Sequence, residues 1–343
     1  MIYYIIVLFA FYFILKSKYN REVKKSLIYT FIFSIFLICI VINPKNTLEY
    51  ILSGSYLFFL KVFPSVFPFV IISNIIIYFN GIKIYSKLLG KVLCKPIGLP
   101  LNCSLVVIIS FLCGYPLGAK YASYLYNNGE IEFYTFKKLV NVASNPSLFF
   151  VVGAIGFSML GDVKLGYILI LSCYLSCIAM GFIIKSPKLE KNLSFKSEWN
   201  KNQDLGSALK EGVNNGLTTS FIIFSFVVLF SLITGMIANS NLFAIIINYL
   251  YKFFKIPKEI SSSLMLGMIE VTNGCNSLSL TKLNIVTKTI ISSFLLSFGG
   301  LSITSQVYSF IGEYKIPLNY YFKNKFTQGI ISSLITAILL IIS

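Results

Sequence analysis

Along this chain, apolar runs alternate with short basic stretches and with clusters of glycine, proline, asparagine and serine. The apolar runs cover about 1–15, 27–43, 51–80, 102–119, 138–160, 165–184, 212–238, 243–254, 261–280, 287–311 and 327–342. A bilayer core takes about 20 residues of helix. The pattern therefore predicts an all-α polytopic membrane protein. Run 51–80 is long for one crossing, about 45 Å as a single helix, and run 243–254 is short. The opening run lacks a basic flank and a small-residue cleavage site, so it is expected to persist as a first helix.

Two polar stretches break this pattern in different ways. In "GIKIYSKLLGKVLCK" (81–95), Lys83, Lys87, Lys91 and Lys95 recur every four residues, while Tyr85, Leu88, Leu89 and Val92 fall on another face. That spacing predicts an amphipathic helix lying in the interface. The stretch 185–211 carries six lysines and Trp199, the sole tryptophan. It predicts a cytoplasmic linker dividing the chain in two.

The two parts echo each other. "FPFV" at 67–70 returns as "FSFV" at 224–227, Gly54 matches Gly212, Pro100 matches Pro257 and Gly118 matches Gly274. All four pairs lie 156 to 158 residues apart, which predicts a duplicated unit. The predicted organisation is N-terminal transmembrane helices over 1–45, a first repeat over 46–184, the linker, and a second repeat with a C-terminal helix over 212–343. Basic loop 16–25 and the linker should share the cytoplasmic side. Segment 27–43 then carries the chain across once before the first repeat, so the repeats are expected to be inverted, with one segment broken or re-entrant.

Each repeat carries helix breakers within apolar sequence. The first has "FPSVFPF" with Pro64, Ser65 and Pro68, "GYPLGAK" with Gly114, Pro116, Gly118 and Lys120, and "NVASNPSLFF" with Asn145, Pro146 and Ser147. The second has "GMIEVTNGCNSLS" with Glu270, Thr272, Asn273 and Asn276, and "FGGLSITSQ" with Ser302, Ser305 and Gln306. Orphan backbone groups cannot face lipid, so such breaks must face protein or a watery cavity. Paired breaks in two halves point to a binding site near the midplane. The candidate binding residues are Ser65, Gly114, Lys120, Asn145, Ser147, Glu270, Asn273, Asn276, Ser302 and Gln306. Glu270 lies deep in apolar sequence, where it could carry a proton or cation, cap a half-helix, or pair with Lys120. Lys120 could bind a carboxylate or snorkel to the interface.

Charge and composition narrow the chemistry. The net charge is +17, from 29 Lys+Arg against 12 Asp+Glu, but the lysines cluster between apolar runs. The positive-inside rule accounts for that without a nucleic-acid partner. The chain has no histidine, which removes the commonest general base and metal ligand. Its seven cysteines form no CxxC and are expected to pack as small hydrophobes. No nucleophile–base pair, metal cluster or P-loop motif is present, so no catalytic residue, metal or cofactor is expected, and the chain is not expected to be an enzyme.

The pieces "VFPSVFPFVIIS", "GYPLGAK", "NPSLFFVVGAIG", "EVTNG" and "FGGLSITSQV" together resemble the sporulation integral membrane protein family called YlbJ or SpoVV, in order from about residue 50 to 325. The resemblance implies two nucleoside-recognition (Gate) segments, loosely similar to concentrative nucleoside transporters. It also implies a role in moving dipicolinic acid across the outer forespore membrane. Thr304 departs from the histidine expected there in relatives. The expected partners are a small anionic substrate and the bilayer, with a homo-oligomer left open. Alternatives are a carrier of nucleosides or another small metabolite, and a non-transporting assembly protein.

Overall fold

The computed structural model describes residues 20–185 and 204–342. The opening apolar run and most of the linker, Trp199 included, lie outside the described residues, as does the side chain of Ser65. The described residues are helical and fall into two compact units, one ending at Ile51 and one running from Leu52 to the C-terminus.

In the first unit, α1 (Arg21–Ile42) starts at Asn20, whose Oδ1 accepts from the Val23 amide at 3.0 Å. Its side chains are apolar and exposed, as Phe33, Leu37 and Val41 show, which suits a lipid-facing span. Helix α2 (Pro44–Leu57) follows.

In the second unit, α2 runs through a π-helical turn, Phe58–Val62, into α3 (Phe63–Tyr78). Run 51–80 is therefore not one straight helix. The turn sits just before Pro64, whose ring cannot extend an α ladder. Next come α4 (Gly81–Leu93), α5 (Ser104–Cys113), α6 (Leu117–Asn127), α7 (Phe133–Val142), a π-helix (Phe150–Leu160) and α8 (Val163–Ile183). Beyond residue 203 come α9 (Leu205–Ala238) and α10 (Asn241–Phe254). Helices α11 (Lys258–Ile269), α12 (Val271–Ser279), α13 (Ile285–Phe298), α14 (Gly300–Ile311) and α15 (Leu318–Ile342) complete the unit. Asp204 caps α9, and the Ser207 and Gly206 amides hold its carboxyl below the usual carboxylate range.

Five of these helical stretches are long and apolar enough to cross a bilayer, six if the bent α2–α3 pair counts as one. The chain is an integral, multi-pass, all-α membrane protein. Helix α4 is amphipathic as the lysine spacing predicts: Leu88 and Val92 are exposed, while Ser86 and Gly90 are buried. Its counterpart α10 likewise exposes Leu242, Ile245 and Phe253.

The two series are interleaved. Helix α3 packs along α9 and α8 along α15. Helix α6 meets α14, and reciprocally α12 meets the π-helix. Gly54 and Gly212 both lie at close helix contacts. A Cβ on Gly54 would lie 2.8 Å from Ser231 on α9, and one on Gly212 would lie 3.1 Å from Ile75 on α3. Small residues here let helices close on one another where no hydrophobic driving force between helices is available.

Candidate functional site

Each half contains two interruptions, and in each half they touch. Helix α5 ends at Cys113, and Gly114 turns the chain with φ +83° before α6 begins. Helix α7 ends at Val142, and residues 143–147 run without helix. The Tyr115 amide donates to the Asn145 carbonyl at 2.7 Å, joining the two breaks. A Cβ on Gly114 would lie 2.6 Å from the Ser147 nitrogen, so only glycine gives both this φ and this approach. In the second half, α11 ends at Ile269, Glu270 is extended, and α12 begins at once. Gly300, at φ +71°, brings α14 against the carbonyls of Gly267, Met268 and Ile269.

One cavity joins these breaks. Gly114, Tyr115 and Ser147 of the first half and Glu270, Thr272 and Gln306 of the second line it, with apolar walls from α3, α9 and the π-helix. Its volume is about 40 Å³. At roughly 10–15 Å³ per water it has room for about three waters.

Glu270 is 2% exposed and is the one charged side chain among the described lining residues. Its Oε2 accepts from the Asn273 amide at 2.7 Å, capping α12 where helix N–H groups have no other partner. Gln306 is also buried. Its Nε2 donates to Ser302 Oγ at 3.3 Å, while its Oε1 is buried without a hydrogen-bond partner. A buried acceptor left unpaired costs roughly 1–3 kcal/mol. A donor entering the cavity would relieve that cost.

Of the residues singled out in the sequence, Gly114, Ser147, Glu270 and Gln306 line the cavity, and Ser302 supports Gln306 from behind. The others do different work. Lys120 does not reach the cavity wall. Its Nζ donates to Thr219 Oγ1 at 2.6 Å, tying α6 to α9, and makes no ion pair with Glu270. Asn273 Nδ2 donates to Ser231 Oγ at 3.3 Å. Asn276 is exposed on α12. Asn145 is fully buried and fully engaged: Nδ2 donates to the Val142 carbonyl and to Ser110 Oγ, and Oδ1 accepts from Gln328 Nε2 at 3.0 Å.

Gln328 leads to a group that the sequence reading missed. Lys325, 1% exposed on α15, donates from Nζ to Gln328 Oε1 at 2.7 Å and to the Ser144 carbonyl. Tyr321 OH shares a hydrogen bond with Ser144 Oγ. The lysine caps the broken end of α7, where carbonyls carry partial negative charge. Three hydrogen bonds connect it to the cavity wall: Lys325 to Gln328, Gln328 to Asn145, and Tyr115 to Asn145. The signal was legible in hindsight. Tyr321, Lys325, Gln328, Ser332 and Thr336 fall at three- and four-residue steps, one polar stripe down an apolar helix.

That stripe meets similar ones on α8 and α13. Ser293 Oγ and Ser332 Oγ lie 2.7 Å apart, and Ser297 Oγ donates to Cys173 Sγ at 3.2 Å. Cys173 and Cys177 are buried packing residues, as their spacing suggests.

The nucleoside-recognition (Gate) family model matches residues 59–186, which span the first series from the π turn to the end of α8. The chain is also similar to the sporulation integral membrane protein YlbJ of Bacillus subtilis strain 168. The two are 24% identical over 330 residues, covering 90% of this chain and 81% of that one. Both findings bear out the family resemblance carried by the break motifs. No solved structure matches.

Proposed function

We propose that the chain is a secondary carrier of a small organic anion, with dipicolinate as substrate, moving it across the outer forespore membrane during sporulation by alternating access. The observation that carries this reading is the cavity itself: residues at breaks from both halves, Gly114 and Ser147 from one and Glu270 and Gln306 from the other, line one small, mostly apolar space with a few polar groups. That is the architecture of carriers whose halves rock about a fixed central site. The space is smaller than a pyridine dicarboxylate, so loading requires the halves to part. Catalysis has no part in this reading.

The lining sets a condition on an anionic cargo. At 4 Å and an effective dielectric of about 20, two like unit charges repel by about 4 kcal/mol. An anion beside Glu270 is therefore accommodated when Glu270 carries a proton. The carrier then moves anion and proton together, and Lys325, joined to the wall through Gln328 and Asn145, offsets the remaining negative charge.

Proteoliposomes containing the purified chain, given labelled dipicolinate and an inward proton gradient, test the reading. Uptake above empty liposomes that collapses with the gradient is the expected result. Folded protein with no flux would remove it. A second reading, a nucleoside carrier, draws on the Gate match and on the acceptors of Glu270 and Gln306, which suit a donor-rich neutral solute. Competition by nucleosides but not by dicarboxylates would favour it.

A further inference from the structure

A second, larger cavity of about 390 Å³ lies between α7, the end of α8 and the start of α15. Lys137, Lys138, Lys185, Tyr134, Tyr320 and Asn324 line it, and no acidic residue does among the described residues. The cations come from two elements. Lys137 and Lys138 project from α7, and Lys185 follows α8 where that span ends at Ile183. Lys137 Nζ sits 3.8 Å from the centre of the Tyr320 ring, which orients it. Independently, Asn324 brings a buried Nδ2 donor beside the Tyr320 hydroxyl that makes no well-formed hydrogen bond.

The position narrows the ligand. Ile183 and Tyr134 are exposed at the rim, so apolar surface meets a basic interior at the depth where a span gives way to polar chain. Tyrosines favour that depth, and basic pockets between helices on the cytoplasmic side receive anionic headgroups. The lysine-rich linker that follows Lys185 puts this end on the cytoplasmic side.

We propose that this cavity is a binding site for a phosphate-ester anion, the headgroup phosphate of an anionic phospholipid in the cytoplasmic leaflet. Lys137 and Lys185 supply the charge, and Asn324 Nδ2 supplies a donor. The acyl chains leave past Ile183. The site lies apart from the cavity between the breaks and does not depend on what that cavity carries.

The test uses the purified full-length chain in uncharged detergent, with thermal unfolding followed against added lipid. Short-chain phosphatidylglycerol is expected to raise the midpoint saturably, and short-chain phosphatidylcholine is not. Near a surface each lysine is worth about fivefold in affinity, so Lys137→Gln/Lys185→Gln should weaken apparent binding ~25-fold. The exposed Lys185→Gln alone should weaken binding about fivefold. Inorganic phosphate forms a further arm: saturation by phosphate alone, with the same loss in the variants, identifies a soluble anion as the source. Equal responses to the two lipids, or equal responses of wild type and Lys185→Gln, overturn the proposal.

Discussion

The backbone amide of Tyr115 donates to the carbonyl of Asn145 at 2.7 Å, so two interruptions 30 residues apart in sequence are held as one unit. Neither break could survive alone in a bilayer, because freed backbone groups there cost several kcal/mol each. Crossed, they satisfy one another. Gly118 makes the crossing close, since a Cβ there would lie 1.6 Å from the Ala143 oxygen. Gly118→Ala should therefore force α6 off the second break and destabilise the fold by about 2 kcal/mol or more. Thermal unfolding of the purified variant, or its loss as a monodisperse species, reads this directly. Gly153→Ala, where a Cβ meets nothing within 4 Å, is the control and should behave as wild type.

Glu270 separates two jobs that one carboxylate performs. Its oxygen caps α12 by accepting from Asn273, which an amide oxygen could also do. Its charge is what an anion entering the cavity must contend with. Glu270→Gln should keep the cap and the fold while removing the proton requirement. The wild type should then show uptake that rises as pH falls, and the variant uptake that is flat with pH. Glu270→Ala should lose the cap as well, about 1 kcal/mol of stability. A variant Gln protein that keeps the wild-type pH profile would assign coupling elsewhere.

Gln306 gives opposite signs for stability and function. Its buried Oε1 lacks a partner, so replacing it by an apolar side chain of similar length removes an unpaired acceptor. Gln306→Met should raise stability by about 1 kcal/mol or leave it unchanged. Under the proposed carrier role, the same change removes a free acceptor from the cavity wall, and transport should fall. A packing residue would show the two falling together, so unfolding and flux must be measured on the same preparation.

The sequence and the structure agree where local chemistry is sufficient. The lysine period in 81–95 and the breakers at Gly114, Glu270 and Gly299 stand in the chain itself, because each acts through its own backbone or its neighbours. The pairing of breaks does not, since nothing near Tyr115 in sequence names Asn145 as its acceptor. Lys120 also has a partner that its sequence neighbours do not name. A lysine beside a break looks like a ligand for an anion, yet its partner Thr219 lies 99 residues away on α9. Lys325 precedes the last apolar run, where a lysine reads in sequence as a flanking charge. Only the packing of α15 onto α8 and onto the end of α7 turns it inward.

The contact with Thr219 sets what a Lys120 variant should do. As a tether between α6 and α9, Lys120 acts through Thr219, so Lys120→Ala and Thr219→Val should have similar effects on flux and stability. Removing both should add little beyond either one, a coupling of about 1 kcal/mol in a double-mutant cycle. Were Lys120 a direct ligand, Thr219→Val would spare binding and the two losses would simply add.

Lys325 is the severest test of the polar network. It is a buried cation that makes no ion pair among the described residues, held by the Ser144 carbonyl and Gln328. Lys325→Met keeps length and loses charge, and it leaves two acceptors without their donor, at roughly 1–3 kcal/mol each. The cost appears as a lowered unfolding midpoint. If the charge also offsets anion and carboxylate in the cavity, flux should fall further than stability explains. Gln328→Glu presents a carboxylate to Lys325. It keeps an acceptor for Nζ but loses the Nε2 donor to Asn145 Oδ1, so some fall in the unfolding midpoint is expected, and by pairing with the lysine charge it should lower anion uptake beyond that fall. Gln328→Glu at wild-type uptake would confine Lys325 to capping the broken end of α7.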